Sequence, residues 1–268
     1  MSFIRNSSQD DKTKLLMDFT NTSQKEAQRL LRHSNWDVNS ALNLYYEQAS
    51  TKKPSNKPKA SSSQTKAIQE IFNKYEDPDK KGWITVDGTM ELCQDLGIDP
   101  TQLDFLLLSY HLGSKHMGEF SRQEFVEACL SLHCDSVAKL KHALTNDFQN
   151  NLKDVNYFRN IYNYAFLFGR QTGQKNLALD AAVELWKLLL AGRYDRLDQW
   201  ITFLEEKHRK AISRDTWTLF LDFATQPNFD IDTHDAEGAW PILIDEFVEY
   251  LKNTSSNNIS NSISSNST

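Results

Sequence analysis

RDTWTLFLDFATQPNFDIDTHDAEGAWPILIDEFVEYLK, residues 214 to 252, decides how this chain folds. Trp217, Phe220, Leu221 and Ala224 fall at i, i+3, i+4 and i+7, the period of one apolar stripe on a helix. Ser213 is placed to cap that helix, and Asp215 falls in its first turn, where the helix dipole favours a carboxylate. After a loop, Pro241 suits the first turn of a second helix. Its buried stripe is Ile244, Phe247, Val248 and Leu251, and Asp245 and Glu249 share the outer face. Between Asp215 and Glu249 the segment holds nine carboxylates and no Lys or Arg. So much apolar content marks a folded segment, whose negative face is expected to be unneutralised. On composition alone such a run is a solvated surface; facing a basic partner, it concentrates and orients that partner. Ala239, after Gly238, is small enough for another chain to approach the backbone closely.

Upstream, Phe158, Ile161, Tyr162 and Ala165 form one helical stripe, and Leu197, Trp200, Ile201 and Leu204 another. Aromatic stripes at this spacing are core. Sustained period-two alternation is absent, so the fold class is all-α.

Two segments share the frame of a calcium-binding helix–loop–helix. In DPDKKGWITVDG, residues 77 to 88, Asp77, Asp79, Gly82 and Ile84 occupy positions 1, 3, 6 and 8 of the loop. Lys81 stands where an oxygen ligand belongs, and Gly88 replaces the bidentate Glu. GSKHMGEFSRQE, residues 113 to 124, repeats the frame with Gly118, Phe120 and Glu124, but Gly113, Lys115 and Met117 supply no carboxylate. Neither loop is expected to hold metal. Ile84 and Phe120 could still pair as short strands, and the surrounding helices would leave an apolar cleft suited to an apolar peptide, unless the chain's own residues fill it.

Residues 8–48 contain three short amphipathic segments, enough for a compact three-helix unit. Leu15, Leu16 and Phe19 mark the first; Ser23 with Glu26 is a capping box opening the second, with Ala27, Leu30 and Leu31 as core. The third begins near Asn35 and carries Val38, Ala41, Leu42 and Tyr45. Residues 49–64 are rich in Lys, Pro and Ser and form a linker; 65–252 form the large domain; 253–268 are almost all Ser and Asn and are expected to be a disordered tail.

A net charge of −6 argues against a nucleic-acid partner. No apolar run approaches the ~20 residues of a membrane span, so no membrane partner is expected. The first residues lack a signal-peptide core, and Cys93, Cys129 and Cys134 lie at no metal-like spacing. These features suit an intracellular protein of the cytoplasm and/or nucleus with reduced thiols. Phosphate loops, HExxH and GxSxG are missing, and Cys129 sits in the apolar run FVEACLSL, so no catalytic residue and no cofactor is expected.

DTWTLFLDF followed by DAEGAWPILIDEFVEYLK resembles the defective-in-cullin-neddylation family (the potentiating-neddylation domain), and the resemblance covers roughly residues 65 to 252. It implies that Asp215, Ala239 and Asp245 form a patch gripping the C-terminal winged-helix region of a cullin. It also implies that the cleft takes the acetylated N-terminal Met of the modifier-charged conjugating enzyme. The positions concerned are Val86, Thr89, Phe105, Leu108, Leu112, Met117, Phe120, Phe168 and Leu188. MDFT, LL and NWDVNSALNLYY resemble a ubiquitin-associated domain, which implies binding of ubiquitin or a ubiquitin-like protein through Met17, Phe19, Leu44 and Tyr45. Asp18 stands where that family usually has Gly. Phe19 and Leu42 also read as core, and Met17 and Leu44 as either. The expected function is a scaffold that promotes transfer of a ubiquitin-like modifier to a cullin lysine by binding both partners. Two alternatives are a ubiquitin-system adaptor without a cullin target and a hydrolase working through the acidic cluster.

Overall fold

Leu16, Ala27, Leu30, Leu31 and Ala41 are buried together at the centre of the first of two units, Met1–Lys59. The computed structural model describes residues 9–20, 22–49, 62–226, 231 and 239–265. Helices α1 (Gln9–Thr20), α2 (Gln24–His33) and α3 (Val38–Ala49) pack pairwise around that core. Ser23 is extended and its side chain accepts from the Glu26 N–H at 3.4 Å, as expected of the cap. The third helix starts later than the stripe suggested. Asn35 and Trp36 have φ of 54° and 62°, which breaks the helical path, and Asp37 accepts from the Ser40 N–H at 2.8 Å to open α3 at Val38.

The second unit, Ala60–Thr268, begins with α4 (Ser62–Tyr75), inside the stretch expected to be linker. Ile68, Phe72 and Tyr75 are buried at i, i+4 and i+7, so the apolar stripe draws the preceding turn into the helix. Then come β1 (Trp83–Ile84), α5 (Val86–Leu96), α6 (Leu103–His111), β2 (Phe120–Ser121) and α7 (Arg122–Ser131). The strands pair antiparallel with Ile84 opposite Phe120, the coupling that the loop frame predicts. Helices α4 and α7 pack together, and Phe72 meets Phe125 edge-on with ring centroids 5.5 Å apart.

The remainder is helical. It comprises α8 (Val137–His142), a π-helical turn (Ala143–Phe148), α9 (Gln149–Asn151), α10 (Val155–Gly169), α11 (Leu179–Leu190), α12 (Leu197–Phe203), a second π-helical turn (Leu204–His208), α13 (Arg214–Ala224) and α14 (Ile242–Ser265). Tyr162, Trp186 and Trp217 stack at the centre, with ring centroids 4.6 Å and 4.9 Å apart. Their polar tips are satisfied internally, as burial requires. Trp186 Nε1 donates to the Tyr162 hydroxyl at 2.8 Å, that hydroxyl donates to the Trp217 carbonyl at 2.9 Å, and Trp217 Nε1 donates to the Tyr162 carbonyl at 2.9 Å. One core runs from Ile68 to Leu251, so both halves of this unit form one body.

Helix α14 runs on past Lys252 to Ser265, through most of the stretch expected from residue 253 to be a tail. No Gly or Pro interrupts it, and adding residues to a formed helix is far easier than starting one. Among the described residues, no helix is long and apolar enough to cross a membrane.

Candidate functional site

The acidic face is built on α13 and α14, which pack against each other. Ser213 is extended and its Oγ accepts from the Thr216 N–H at 3.0 Å, so the cap forms as read from the sequence. Trp217, Phe220 and Leu221 turn inward, leaving Asp215 exposed in the first turn. Ile244, Phe247, Val248 and Leu251 anchor α14 to the core. Ala239 lies in an exposed bend before this helix, Asp245 is half-buried in its first turn, and Glu246 and Glu249 are exposed. Pro241 is the residue before the first helical turn, and its carbonyl accepts from the Ile244 N–H at 2.8 Å.

The face is not wholly unneutralised. Asp222 is half-buried and pairs with Arg159 of α10 at 2.7 Å, a partner 63 residues away that no local pattern shows. Asp230, Asp232, Asp235, Glu237 and Gly238 lie outside the described residues. Sequence reading missed Ile242, which stands 76% exposed three residues after Ala239 and three before Asp245. An exposed large apolar residue within an acidic surface was the available signal.

The positions expected to line the cleft separate by burial into a covered set, the expected floor, and an exposed set, the expected lip. Thr89, Phe105, Leu108, Leu112, Phe120 and Phe168 are buried. Phe105 and Phe168 meet edge-on at 5.9 Å, joining α6 to α10. The Thr89 hydroxyl donates to the Gly118 carbonyl at 2.9 Å, tying α5 to the second loop. Leu188 is half-buried on α11. Val86 and Met117 are instead 58% and 57% exposed, and Met90, one turn beyond Val86, is 50% exposed. Met90 was not read from the sequence as part of the cleft; its i+4 spacing from Val86 was the signal.

The acids at the start of the first loop are held by hydrogen bonds and an ion pair. Asp77 accepts from the Thr85 hydroxyl at 2.5 Å and from the N–H groups of Asp79 and Lys80 at 2.8 Å and 2.9 Å; these bonds hold its carboxyl below the usual range. Glu76 accepts from the Gly82 N–H at 2.6 Å and pairs with Arg122 at 2.8 Å, with the same effect. Among the described residues, no group of three His, Cys, Asp or Glu is arranged to hold a metal ion.

The thiols are buried. Burial pushes Cys93 up to about 11 and Cys129 up to about 12, and also raises Cys134, so all three are protonated near neutrality. His111 stacks on Phe148 with centroids 3.6 Å apart, and its Nε2 lies 2.7 Å from the Tyr157 hydroxyl. Burial lowers its pKa to about 4.

In the first unit Met17, Leu44 and Tyr45 are half-buried against the core, as is Leu42. The Tyr45 hydroxyl donates to the Thr20 carbonyl at 3.1 Å. The side chains of Asp18 and Phe19 lie outside the described residues.

The chain is similar to known proteins. A family model described as "Cullin binding" matches residues 139–250, and one described as "UBA-like domain" matches residues 10–51. The chain is 34% identical over 259 residues to "Defective in cullin neddylation protein 1" of Cryptococcus neoformans var. neoformans serotype D (strain B-3501A), covering 87% of this chain and 90% of that protein. It is 32% identical over 242 residues to the protein of the same name in Yarrowia lipolytica (strain CLIB 122 / E 150), covering 88% and 94%. "DCN1-like protein 5" of Homo sapiens is 34% identical over 182 residues, 68% of this chain and 75% of that protein.

Proposed function

From the premise that this chain belongs to the defective-in-cullin-neddylation family, we propose that it promotes transfer of a ubiquitin-like modifier from its conjugating enzyme to a cullin lysine. It acts as a scaffold. Asp215, Ala239 and Asp245 meet a basic surface of the cullin C-terminal winged-helix region. The floor and lip around Phe105, Phe120, Val86 and Met117 receive the acetylated N-terminal Met of the conjugating enzyme. The observation that supports this reading is that the residues named for both surfaces belong to one unit with a continuous core. Holding two partners on one rigid frame raises the effective concentration of the lysine at the thioester and fixes its approach.

The scaffold forms no bond with its own side chains. Three buried, protonated thiols suit that role, since a thioester carrier needs an accessible thiolate. The acetyl group matters because an amine loses its charge on acetylation, and a bare ammonium entering an apolar site carries a large desolvation cost. The lip is open while the floor is packed, so the Met enters past Val86 and Met117 and the floor side chains shift to admit it. The N-terminal unit binds ubiquitin or a ubiquitin-like protein through Met17, Phe19, Leu44 and Tyr45.

The test is a reconstituted modifier transfer to a cullin C-terminal fragment, with and without this protein. A rate increase that vanishes in the Asp215→Ala, Ala239→Arg, Asp245→Ala triple variant is expected. No increase with the wild-type chain would overturn the reading in favour of an adaptor without a cullin target.

A further inference from the structure

In a calcium-binding loop, the twelfth-position Glu and oxygens from the early positions close on one ion, which pins the loop to the helix that follows. The second loop here has the Glu and no other side-chain carboxylate at an early position. Lys115, at the third position, places its Nζ 2.7 Å from Oε1 of Glu124, at the twelfth. The Ser121 hydroxyl donates to the other oxygen, Oε2, at 2.7 Å. The Glu124 side chain is only 26% exposed and lies in the first turn of α7. A positive charge therefore sits between the third and twelfth positions, supplied by the chain itself.

The neighbouring contacts follow the same plan. Lys80 of the first loop places Nζ 3.0 Å from both carboxylate oxygens of Glu119 in the second, joining the loops by charge. Arg122, which opens α7, pairs with Glu76 at 2.8 Å and donates to the Asn73 side chain at 2.7 Å. The Ser114 hydroxyl lies 2.7 Å from the His116 carbonyl and 2.9 Å from the Glu119 carbonyl and shares its one proton between them, holding the turn that presents Met117.

We infer that the Lys115 ammonium takes the place of calcium in the second loop, pairing with Glu124 to fix the loop that carries Met117 and Phe120. Lys115 is thus a positioning residue for the cleft, and the cleft is set without metal. The loop claim stands on these contacts alone; its bearing on partner binding rests on the cleft reading under Proposed function. An exposed ion pair acting alone contributes little. This one has more leverage because its carboxylate is mostly covered and also held by Ser121, so removing the ammonium leaves a mostly covered negative charge without its counter-ion at the end of the loop.

The experiment uses the full chain with Lys115→Gln, which keeps much of the side chain without the charge, and Lys115→Arg, which keeps the charge. Amide exchange across residues 113–124 is measured with and without millimolar calcium. Affinity is measured for a synthetic peptide bearing an acetylated N-terminal Met and the first dozen or so residues of the conjugating enzyme. The expected result is faster exchange in that loop and about fivefold weaker peptide binding for Lys115→Gln, near wild-type behaviour for Lys115→Arg, and no calcium effect on the wild type. Wild-type exchange in Lys115→Gln, equal impairment in Lys115→Arg, or slowing of the wild-type loop by calcium would each overturn the proposal. If the wild type does not bind the peptide, the cleft reading fails, and loop exchange, which involves no partner, still decides the role of Lys115.

Discussion

Gly88 shows at a single residue why the first loop has no twelfth-position Glu. A Cβ built there would lie 2.0 Å from the Tyr75 carbonyl oxygen and 3.0 Å from Ile84. The obstacle is backbone, which cannot swing aside as a flexible side chain can. Any side chain at this position, a calcium-binding carboxylate included, is excluded by the end of α4. Gly88→Ala should therefore destabilise the second unit by about 1–3 kcal/mol, the usual range for overpacking, measured by urea unfolding. An unchanged midpoint would show that α4 and α5 separate easily. His111 makes the second prediction. Its ring is half-buried between Phe148 and Tyr157, and the loss of solvent depresses its pKa to about 4. The unfolded chain takes up that proton near pH 6.5, so between those values the unfolded state holds more protons and stability rises with pH. The contribution is complete above about pH 6.5 and is lost as pH falls toward 4. It amounts to about 1–2 kcal/mol once the full shift is discounted for residual solvent contact. His111→Phe should flatten the melting profile over that window; a variant with the wild-type slope would assign the acid sensitivity to another group.

At the level of the element, α14 separates helix formation from helix anchoring. Its buried stripe ends at Leu251, yet the helix runs on to Ser265. Truncation after Thr254 should lower the helical signal in circular dichroism and leave the melting temperature within about 1–2 °C of wild type, since no side chain of the stripe is lost. A large drop would show that the distal turns bury surface of their own. The same helix marks what sequence can and cannot reveal. The stripes through Trp217, Phe247, Ile161 and Trp200 were legible because burial imposes a period on consecutive residues. The pairing of Ile84 with Phe120 was legible because the loop frame fixes their positions even after its ligands are gone. The Arg159–Asp222 and Lys115–Glu124 pairs leave no periodic trace, since each depends on how separate turns meet in space. The late start of α3 was hidden for a different reason, since two consecutive non-glycine residues, Asn35 and Trp36, adopt left-handed backbone. The split of the cleft into floor and lip was equally hidden, because an apolar residue reads the same whether it is covered or open.

At the scale of the whole molecule, the residues of the proposed cleft and those of the acidic face belong to one unit. A scaffold works by making the second binding event intramolecular, and that advantage disappears when the two sites are on different bodies. This gives a test in trans. One variant carries Asp215→Ala, Ala239→Arg and Asp245→Ala, which leaves the buried stripes through Trp217 and Phe247 intact and should keep the fold. A second carries Val86→Glu and Met117→Glu, two exposed lip positions where a charge repels an apolar terminus at little cost to the core. Each alone should lose most of the acceleration of modifier transfer while keeping its circular dichroism and the binding that its mutations do not touch. The first should still bind the acetylated peptide, and the second should still bind the cullin fragment. Truncating a desolvated charge at an interface costs about 2–5 kcal/mol, so the first variant should lose cullin binding at micromolar concentration. Mixed in equal amounts, the two variants still present one working copy of each site, but never on the same molecule. The mixture should therefore be as slow as either variant alone. Recovery toward the wild-type rate would mean that each partner is activated separately on contact, and the rate effect would then have to come from a change within the cullin or the conjugating enzyme and not from their being held together.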